Sequence, residues 1–327
     1  MKSAILGIDT SNYRTSVALV SLNGNVLLNR RMLLPVREGE RGLRQSDAVY
    51  IHLKQLKPLF EELRPLTAEW QISAVCASVS PRERIDSYMP VFETGDTVGR
   101  GVAAAIGIPF FQTDHQHGHI RAAQFGTKLE KSSDFIALHL SGGTTDLLSI
   151  SRDGLKELGS SLDLHAGQLI DRVGVALGFT FPAGPQMENL AVHGTSQGRL
   201  GCAMENDDLS CHLSGGEAQA LRWINQKKEK PEDISREVFD LLARTVSRML
   251  NAGMKKTGQH DALICGGVAS SELFRTMLQE RLYRLRSELS IVYGTPELSG
   301  DNAVGVALIG MDKYKLHEET GYNNKKV

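Results

Sequence analysis

The sequence predicts a duplicated α/β fold: two halves of similar plan with a cleft between them. Three observations point there. An apolar strand, a short polar turn and a second β-branched strand occur twice, at residues 4–22 and 135–150. Each pair is followed by a third strand and then by alternating helical and buried-strand patterns, the signature of a sheet with crossover helices. The chain of 327 residues, 41% hydrophobic and 23% charged, is long and apolar enough for two domains with full cores.

In the first half, residues 4–8 form a short apolar run that Asp9, Thr10, Ser11 and Asn12 interrupt. Residues 16–22 resume with β-branched side chains. Asn23-Gly24 then signals a hairpin of type I′, whose two central positions need positive φ. Residues 26–28 continue as the third strand. Val49, Leu53, Leu56, Phe60 and Leu63 recur at helical spacing over residues 48–63, with Pro58 inside. Residues 72–79 read as a buried strand, 97–106 as a small-residue helix and 109–111 as a further strand.

The second half repeats the plan. A strand at 135–140 leads through Ser141, Gly142, Gly143, Thr144, Thr145 and Asp146 into a strand at 147–150. Arg152, Asp153 and Gly154 turn into a third. Residues 162–177 read as helix. Val238, Leu241, Leu242, Thr245 and Met249 mark a long amphipathic helix. Residues 262–265 form a strand ending in Gly266-Gly267, followed by a helix at 273–285, a strand at 291–293 and a small-residue helix at 303–311. Residues 313–327 read as a polar, frayed tail. The expected domains are residues 1–124, with the 301–312 helix packing back on them, and residues 134–300.

Charge excludes some functions. With 37 Lys plus Arg against 38 Asp plus Glu, the chain is not the basic body that grips a phosphate backbone alone. Any nucleic-acid contact then needs a local patch or a partner subunit. The short clusters Lys227-Lys228 with Lys230, Lys255-Lys256 and Lys325-Lys326 read as solvated faces. Cys76, Cys202, Cys211 and Cys265 form no CxxC, so they are expected to be reduced thiols rather than a zinc ribbon or redox motif. No apolar run reaches the ~20 residues of a membrane span, and the opening residues lack a signal-peptide core, so the cytoplasm is the expected compartment.

Four motifs carry chemistry. Three of ten histidines fall within five residues, at His115, His117 and His119. On a helix, His115 and His119 share one face, and two imidazoles so placed hold a metal if a third ligand arrives. Asp301 precedes a small-residue helix and is either its N-cap or that third ligand. The turns Ser141-Gly142-Gly143-Thr144 and Cys265-Gly266-Gly267-Val268 offer backbone amides to an anion or simply turn tightly. Gly167 to Arg172 and Pro182-Ala183-Gly184-Pro185 surround Asp171, a solvated carboxylate or a ribose ligand. No HExxH, nucleophile elbow or ordered Ser/His/Asp set is present.

Together these residues resemble the TsaD family, formerly classed as M22 glycoproteases, over nearly the whole chain. Gly7-Ile8-Asp9-Thr10-Ser11 is similar to its GIETS opening, His115 to His119 to the HxxxH of NHLEGH, and Leu140 to Gly143 with Thr145 to VSGGHT. Asp163, Gly167 and Asp171 match DDAxGEAxDK. Gly178, Pro182, Gly184 and Pro185 match LGLxYPGGP, Gly266 to Ala269 match GGVAAN, and Asp301-Asn302 match TDN. The resemblance implies the actin, sugar kinase and heat-shock ATPase superfold. It also implies transfer of a threonylcarbamoyl group from threonylcarbamoyl-AMP to N6 of the adenosine next to the tRNA anticodon. It implies one divalent ion, iron or zinc, on His115, His119 and Asp301. An adenine nucleotide or threonylcarbamoyl-AMP is implied at Ser141, Gly142, Gly143, Thr144, Asp171, Gly184, Glu188, Gly267 and Ser271. TsaB-like and TsaE-like partners are implied, with tRNA reached through a partner-assisted patch.

The chain also departs from the family pattern. CDET reads Asn12-Tyr13-Arg14-Thr15, GPGL is replaced around Ser80 to Glu83, and the fourth position of SGGHT is Thr144. GEA reads Gly167-Gln168-Leu169, the asparagine of GGVAAN is Ser271, the acid after PGGP is kept only as Glu188, and SGxK reads Ser214-Gly215-Gly216-Glu217. The reading is therefore a divergent member or paralogue. Its alternatives are a metal- and nucleotide-binding regulatory subunit, or a carbamoyl transferase with another acceptor.

Overall fold

A computed structural model describes residues 1–11, 14–35, 43–83 and 87–323, with side chains through residue 320. Asn12, Tyr13, Lys325 and Lys326 lie outside the described residues. The chain divides into two compact units: Met1–Phe125 with Glu297–Val327, and Gly126–Pro296.

The first unit contains β1 (Lys2–Thr10), β2 (Arg14–Ser21), β3 (Val26–Leu33), α1 (Gln45–Glu61), β4 (Trp70–Ser78), α2 (Val91–Ile106), β5 (Phe110–Thr113) and α3 (His115–Gln124). Its sheet order is β3-β2-β1-β4-β5, antiparallel across the first three strands and parallel across β1, β4 and β5. Strand alternation sends Ala4, Leu6 and Ile8 to the face covered by α1 and α2, where Leu56, Leu59 and Ala103 meet them. Ile5, Ala18 and Ala74 face the other way, against Ala303, Val304, Ala307 and Leu308.

The second unit contains β6 (Phe135–Leu140), β7 (Thr145–Ser151), β8 (Gly154–Ser160), α4 (Ala166–Ala176), α5 (Gly184–Ala191), β9 (Ala203–Glu205), β10 (Ser210–His212), α6 (Ser214–Gln226), α7 (Pro231–Thr257), β11 (Asp261–Cys265), α8 (Glu272–Arg284) and β12 (Ser290–Tyr293). Its five-stranded sheet, β12-β11-β6-β7-β8, repeats the order and the parallel and antiparallel pairings of the first. β9 and β10 form a separate hairpin. A last helix, α9 (Val304–Asn323), returns to the first unit.

Three local expectations are corrected. The β2–β3 turn is not type I′. Gly24 alone takes positive φ (+85), and its amide bonds Ser21 O at 2.9 Å, so Leu22 and Asn23 are the central residues and Gly24 the left-handed closure. α4 begins at Ala166 rather than near Leu162, because the Leu162 amide donates to Cys211 O at 2.9 Å and the Asp163 carboxylate accepts from Leu213 N at 2.8 Å. Both residues are thereby tied to the β10 segment. The polar tail is not frayed from Lys313: α9 continues to Asn323, with Lys313 Nζ on Gln112 O at 2.6 Å and the His317 ring 6.3 Å from that of Phe111. Among the described residues no helix is long and apolar enough to cross a membrane.

Two close approaches fix α9 in the first unit. A Cβ on Gly7 would lie 2.5 Å from Ala303 O, so β1 and the start of α9 meet backbone to backbone. A Cβ on Gly305 would lie 1.9 Å from Gly118 O. Only glycine lets α3 and α9 cross this closely.

Candidate functional site

α3 starts on a strong cap. The Asp114 side chain accepts from His117 N at 2.8 Å, and the His115 and Gln116 amides donate to Ser80 O and Pro81 O. One turn apart on this helix, the His115 and His119 rings stack edge to face with centroids 4.4 Å apart. Their Nε2 atoms are 3.0 Å apart. Asp301 Oδ1 lies 3.2 Å from His119 Nε2 and 3.6 Å from His115 Nε2. The three donor atoms fall within 4.8 Å of one another.

Two imidazole nitrogens and a carboxylate oxygen at these spacings fit one ion. Donors about 2.0–2.1 Å from a tetrahedral centre stand roughly 3.3 Å from each other. His117 is not in the group. Asp301 is not the helix cap, for Asn302 Oδ1 accepts from Val304 N at 3.0 Å instead. Asn302 Nδ2 also holds Gly300 O and Leu298 O, and the turn so fixed aims Asp301 back at the histidines.

Asp9, at the end of β1 and fully buried, joins the group beyond the three candidate ligands. His115 donates Nδ1–H to Asp9 Oδ1 at 2.9 Å, which leaves Nε2 facing the cluster. Ser78 Oγ donates to the same oxygen, while Asp9 Oδ2 has no partner among the described residues. The signal available was a carboxylate closing an otherwise apolar strand. Burial opposes charging of His115, but the Asp9 and Asp301 carboxylates outweigh it and raise its pKa well above the ordinary value. Burial likewise opposes ionisation of Asp301, yet hydrogen bonds from His115 and His119 hold its carboxyl well below the usual range. Protons and a bound cation would therefore compete for one place.

The glycine turns lie in the second unit. Between β6 and β7, Ser141 N bonds Thr144 O at 2.8 Å and Gly143 N bonds Ser141 Oγ at 3.2 Å. A Cβ on Gly142, Gly143, Gly184 or Gly267 would meet nothing within 4 Å, so each presents open backbone. Gly167 does the reverse: its Cβ would lie 2.7 Å from Gly142 N, seating the first turn of α4 under this loop. Gly167 N donates to Ser141 O at 3.0 Å, and Ala166 N to Thr145 Oγ1 at 2.8 Å. Gly266, at φ +96, packs against Leu140 O.

Three of the expected nucleotide residues spend side-chain oxygens on helix starts. Asp171 Oδ1 accepts from Ala183 N at 2.8 Å ahead of α5. Burial raises the Asp171 pKa, opposed by the Ala183 and Gly184 amides. Glu188 Oε1 accepts from Leu273 N at 2.9 Å and Ser271 Oγ from Phe274 N at 3.1 Å, both in the first turn of α8. Glu217, where the family pattern has a lysine, lies 3.4 Å from Arg172 on α4. The four cysteines are free thiols.

The profile of the family described as TsaD, tRNA N6-adenosine threonylcarbamoyltransferase, matches residues 88–308. The chain belongs to this family. Membership carries a tRNA threonylcarbamoyltransferase-like function at the level of the family. Among solved structures, HypF from T. kodakarensis matches over 97% of this chain and 48% of its own, at 14% identity and TM-score 0.62. The activator of 2-hydroxyisocaproyl-CoA dehydratase from Clostridium difficile, with bound ADPNP, matches over 97% of both chains at 14% identity and TM-score 0.53. A ROK family glucokinase from Streptomyces griseus, in complex with glucose and AMPPNP, matches over 94% of this chain and 98% of its own at 12% identity and TM-score 0.54. The fold is the actin-like superfold that these proteins share.

Proposed function

We propose that this chain is a divergent threonylcarbamoyl transferase. In this reading it moves the threonylcarbamoyl group of threonylcarbamoyl-AMP to N6 of the adenosine next to the tRNA anticodon. The observation that carries it is the meeting of His115, His119 and Asp301 within 4.8 Å inside a TsaD-family chain. These three would hold iron or zinc, and such an ion supplies Lewis-acid polarisation of an acyl oxygen. Asp9 orients His115, and Ser11 Oγ reaches Asp301 Oδ2 at 3.4 Å. The uncrowded backbone at Gly142, Gly143, Gly184 and Gly267, with Ser141 and Thr144, would take the nucleotide phosphate. Asp171, Glu188 and Ser271 support that role from behind by fixing the starts of α5 and α8.

Transfer forms a bond from the adenosine N6 to the carbamoyl carbon and breaks the bond from that carbon to the phosphate oxygen. AMP leaves and the amine loses a proton. Much of the rate would come from holding amine and carbonyl together. With 37 basic against 38 acidic residues the chain lacks the net charge to grip tRNA alone, so in this reading TsaB-like and TsaE-like partners in the cytoplasm help to deliver it.

A second reading, a metal- and nucleotide-binding subunit without transfer, is favoured by one observation: Glu217 reverses a family charge and turns to Arg172. The test pairs elemental analysis with a transfer assay on unmodified tRNA. The transferase reading expects about one metal per chain, lost in His115→Ala/His119→Ala, and label moving from threonylcarbamoyl-AMP to tRNA. Metal and nucleotide binding without transfer to tRNA supports the subunit, or a transferase with another acceptor. A wild-type chain that takes up neither iron nor zinc refutes the metal assignment.

A further inference from the structure

Beside the histidine cluster the chain carries two arginines that no acid among the described residues answers. The β2–β3 register pairs Ser16 with Arg31 and Arg14 with Leu33, which sets Arg14 and Arg31 diagonally on one face. Both reach the turn before Asp301: a Cβ built on Gly300 would lie 3.0 Å from Arg14 Nη1 and 3.8 Å from Arg31 Nη1. Two guanidinium groups thus gather around one point next to the Asp301 backbone. Neither forms an ion pair among the described residues, whereas neighbouring Arg30 pairs with Glu62. Asp301 itself is occupied by His119, His115 and Ser11. Gathered cations repel, and an oxyanion between them turns that repulsion into attraction. Arg14 also stands where the family's CDET has an acid, so the charge beside the cluster is reversed in this chain.

We propose that Arg14 and Arg31 form an oxyanion subsite adjoining His115, His119 and Asp301 that takes the carboxylate of the acyl donor's amino-acid part. The proposal rests on the transferase reading. A threonylcarbamoyl group carries its carboxylate three bonds from the carbamoyl carbon. A carbonyl at the cluster therefore brings that carboxylate within a few ångströms of the turn at Gly300. A planar guanidinium matches a carboxylate with two parallel hydrogen bonds, and a phosphate is the other anion that such a pair accepts.

Calorimetric titration of the metal-loaded chain with four probes separates the two sources. The probes are threonylcarbamoyl-AMP, its analogue with a methyl group in place of the carboxylate, N-carbamoyl-L-threonine, and AMP. In Arg14→Gln/Arg31→Gln, both carboxylate probes are expected to bind about tenfold or more weakly, with the methyl analogue and AMP unchanged. Arg14→Lys/Arg31→Lys is expected to recover part of the loss. An equal loss for all probes, a loss for AMP, or no loss overturns the subsite. If wild type ignores threonylcarbamoyl-AMP but binds N-carbamoyl-L-threonine through the arginines, the transferase reading fails and the subsite stands. If wild type binds neither carboxylate probe, the subsite is overturned.

Discussion

Replacing Gly305 with alanine tests what holds the candidate metal site of His115, His119 and Asp301 together. The added Cβ would lie 1.9 Å from Gly118 O and 2.8 Å from Ala122 N, whereas ordinary contact begins at 3.4 Å. Both neighbours are backbone, so no side chain can swing aside, and α3 must move about 1.5 Å from α9. Overpacking of this kind costs about 1–3 kcal/mol, and more against backbone. For a unit of this size that lowers the unfolding temperature by roughly 2–12 °C. Asp301 precedes Gly305 by four residues and His119 follows Gly118 directly, so the same shift separates ligand atoms now 3.2 Å apart. A metal site tolerates about ±0.2 Å. Loss of an orienting partner alone costs 10–100-fold in affinity, so displacement of a ligand is expected to cost more than about 100-fold. Competition with a chromophoric chelator reads the affinity, and calorimetry reads the stability. Gly101→Ala is the control, because its Cβ meets nothing within 4 Å and helix propensity favours it by about 1 kcal/mol. A Gly305→Ala protein with wild-type metal affinity would refute the claim that this crossing aligns the cluster.

Asp9→Asn keeps the shape but loses the charge that orients His115, and is expected to weaken metal binding about 10–100-fold in the same competition assay; unchanged affinity would show that the buried carboxylate is only structural. Burial, opposed by the Asp9 charge, lowers the His52 pKa to about 4, so His52 stays neutral in the folded chain. The unfolded chain, with its His pKa near 6.5, then binds more protons between about pH 6.5 and 4, and stability should fall as pH drops through that window by up to roughly 3 kcal/mol. His52→Gln should flatten that slope in urea titrations, and an unchanged slope would exclude His52 as its source. A hydrogen bond from Cys211 lowers the Cys202 thiol to about 6, whereas burial pushes Cys76 and Cys265 up to about 12. Iodoacetamide should therefore label Cys202 first, with a rate that levels off above about pH 7; mass spectrometry showing Cys76 or Cys265 labelled first would count against this.

Much of the fold is written in periodicity. Ala4, Leu6 and Ile8 alternate with Ile5 because both faces of β1 are covered, and the same plan recurs from Phe135. Boundaries were less legible where long-range bonds decide them. Leu162 and Asp163 read as helix, but Cys211 and Leu213, some 50 residues away, claim their hydrogen bonds. In α9 the exposed polar turns beyond Met311 carry no apolar stripe, yet anchors to Gln112 and Phe111 order their first part. His115 and His119 are legible as a pair from their spacing alone. Asp301 was ambiguous between cap and ligand, since only the Asn302 side chain decides which way the turn points. Asp9 was hidden because a carboxylate at a strand end has no periodic mark. Arg14 and Arg31 gained meaning only once β2 and β3 were in register.

The way the first unit is assembled has a consequence for synthesis. Its candidate ligands come from both sides of an inserted unit, with His119 and Asp301 separated by 182 positions in the chain. At about 5–20 residues per second, a ribosome needs roughly 10–40 s between the two. Through that interval β1 to α3 exist without the helix that covers Ile5, Ala18 and Ala74, and the histidines wait without their carboxylate. Capture of a metal by the three residues would thus wait until Asp301 has been made, and a chain cut short before Asp301 has neither that carboxylate nor the lid over its apolar sheet. The cluster would serve as a mark that both segments of the first unit have been joined, and chains cut before Asp301 are left with the exposed surface that proteases and chaperones recognise.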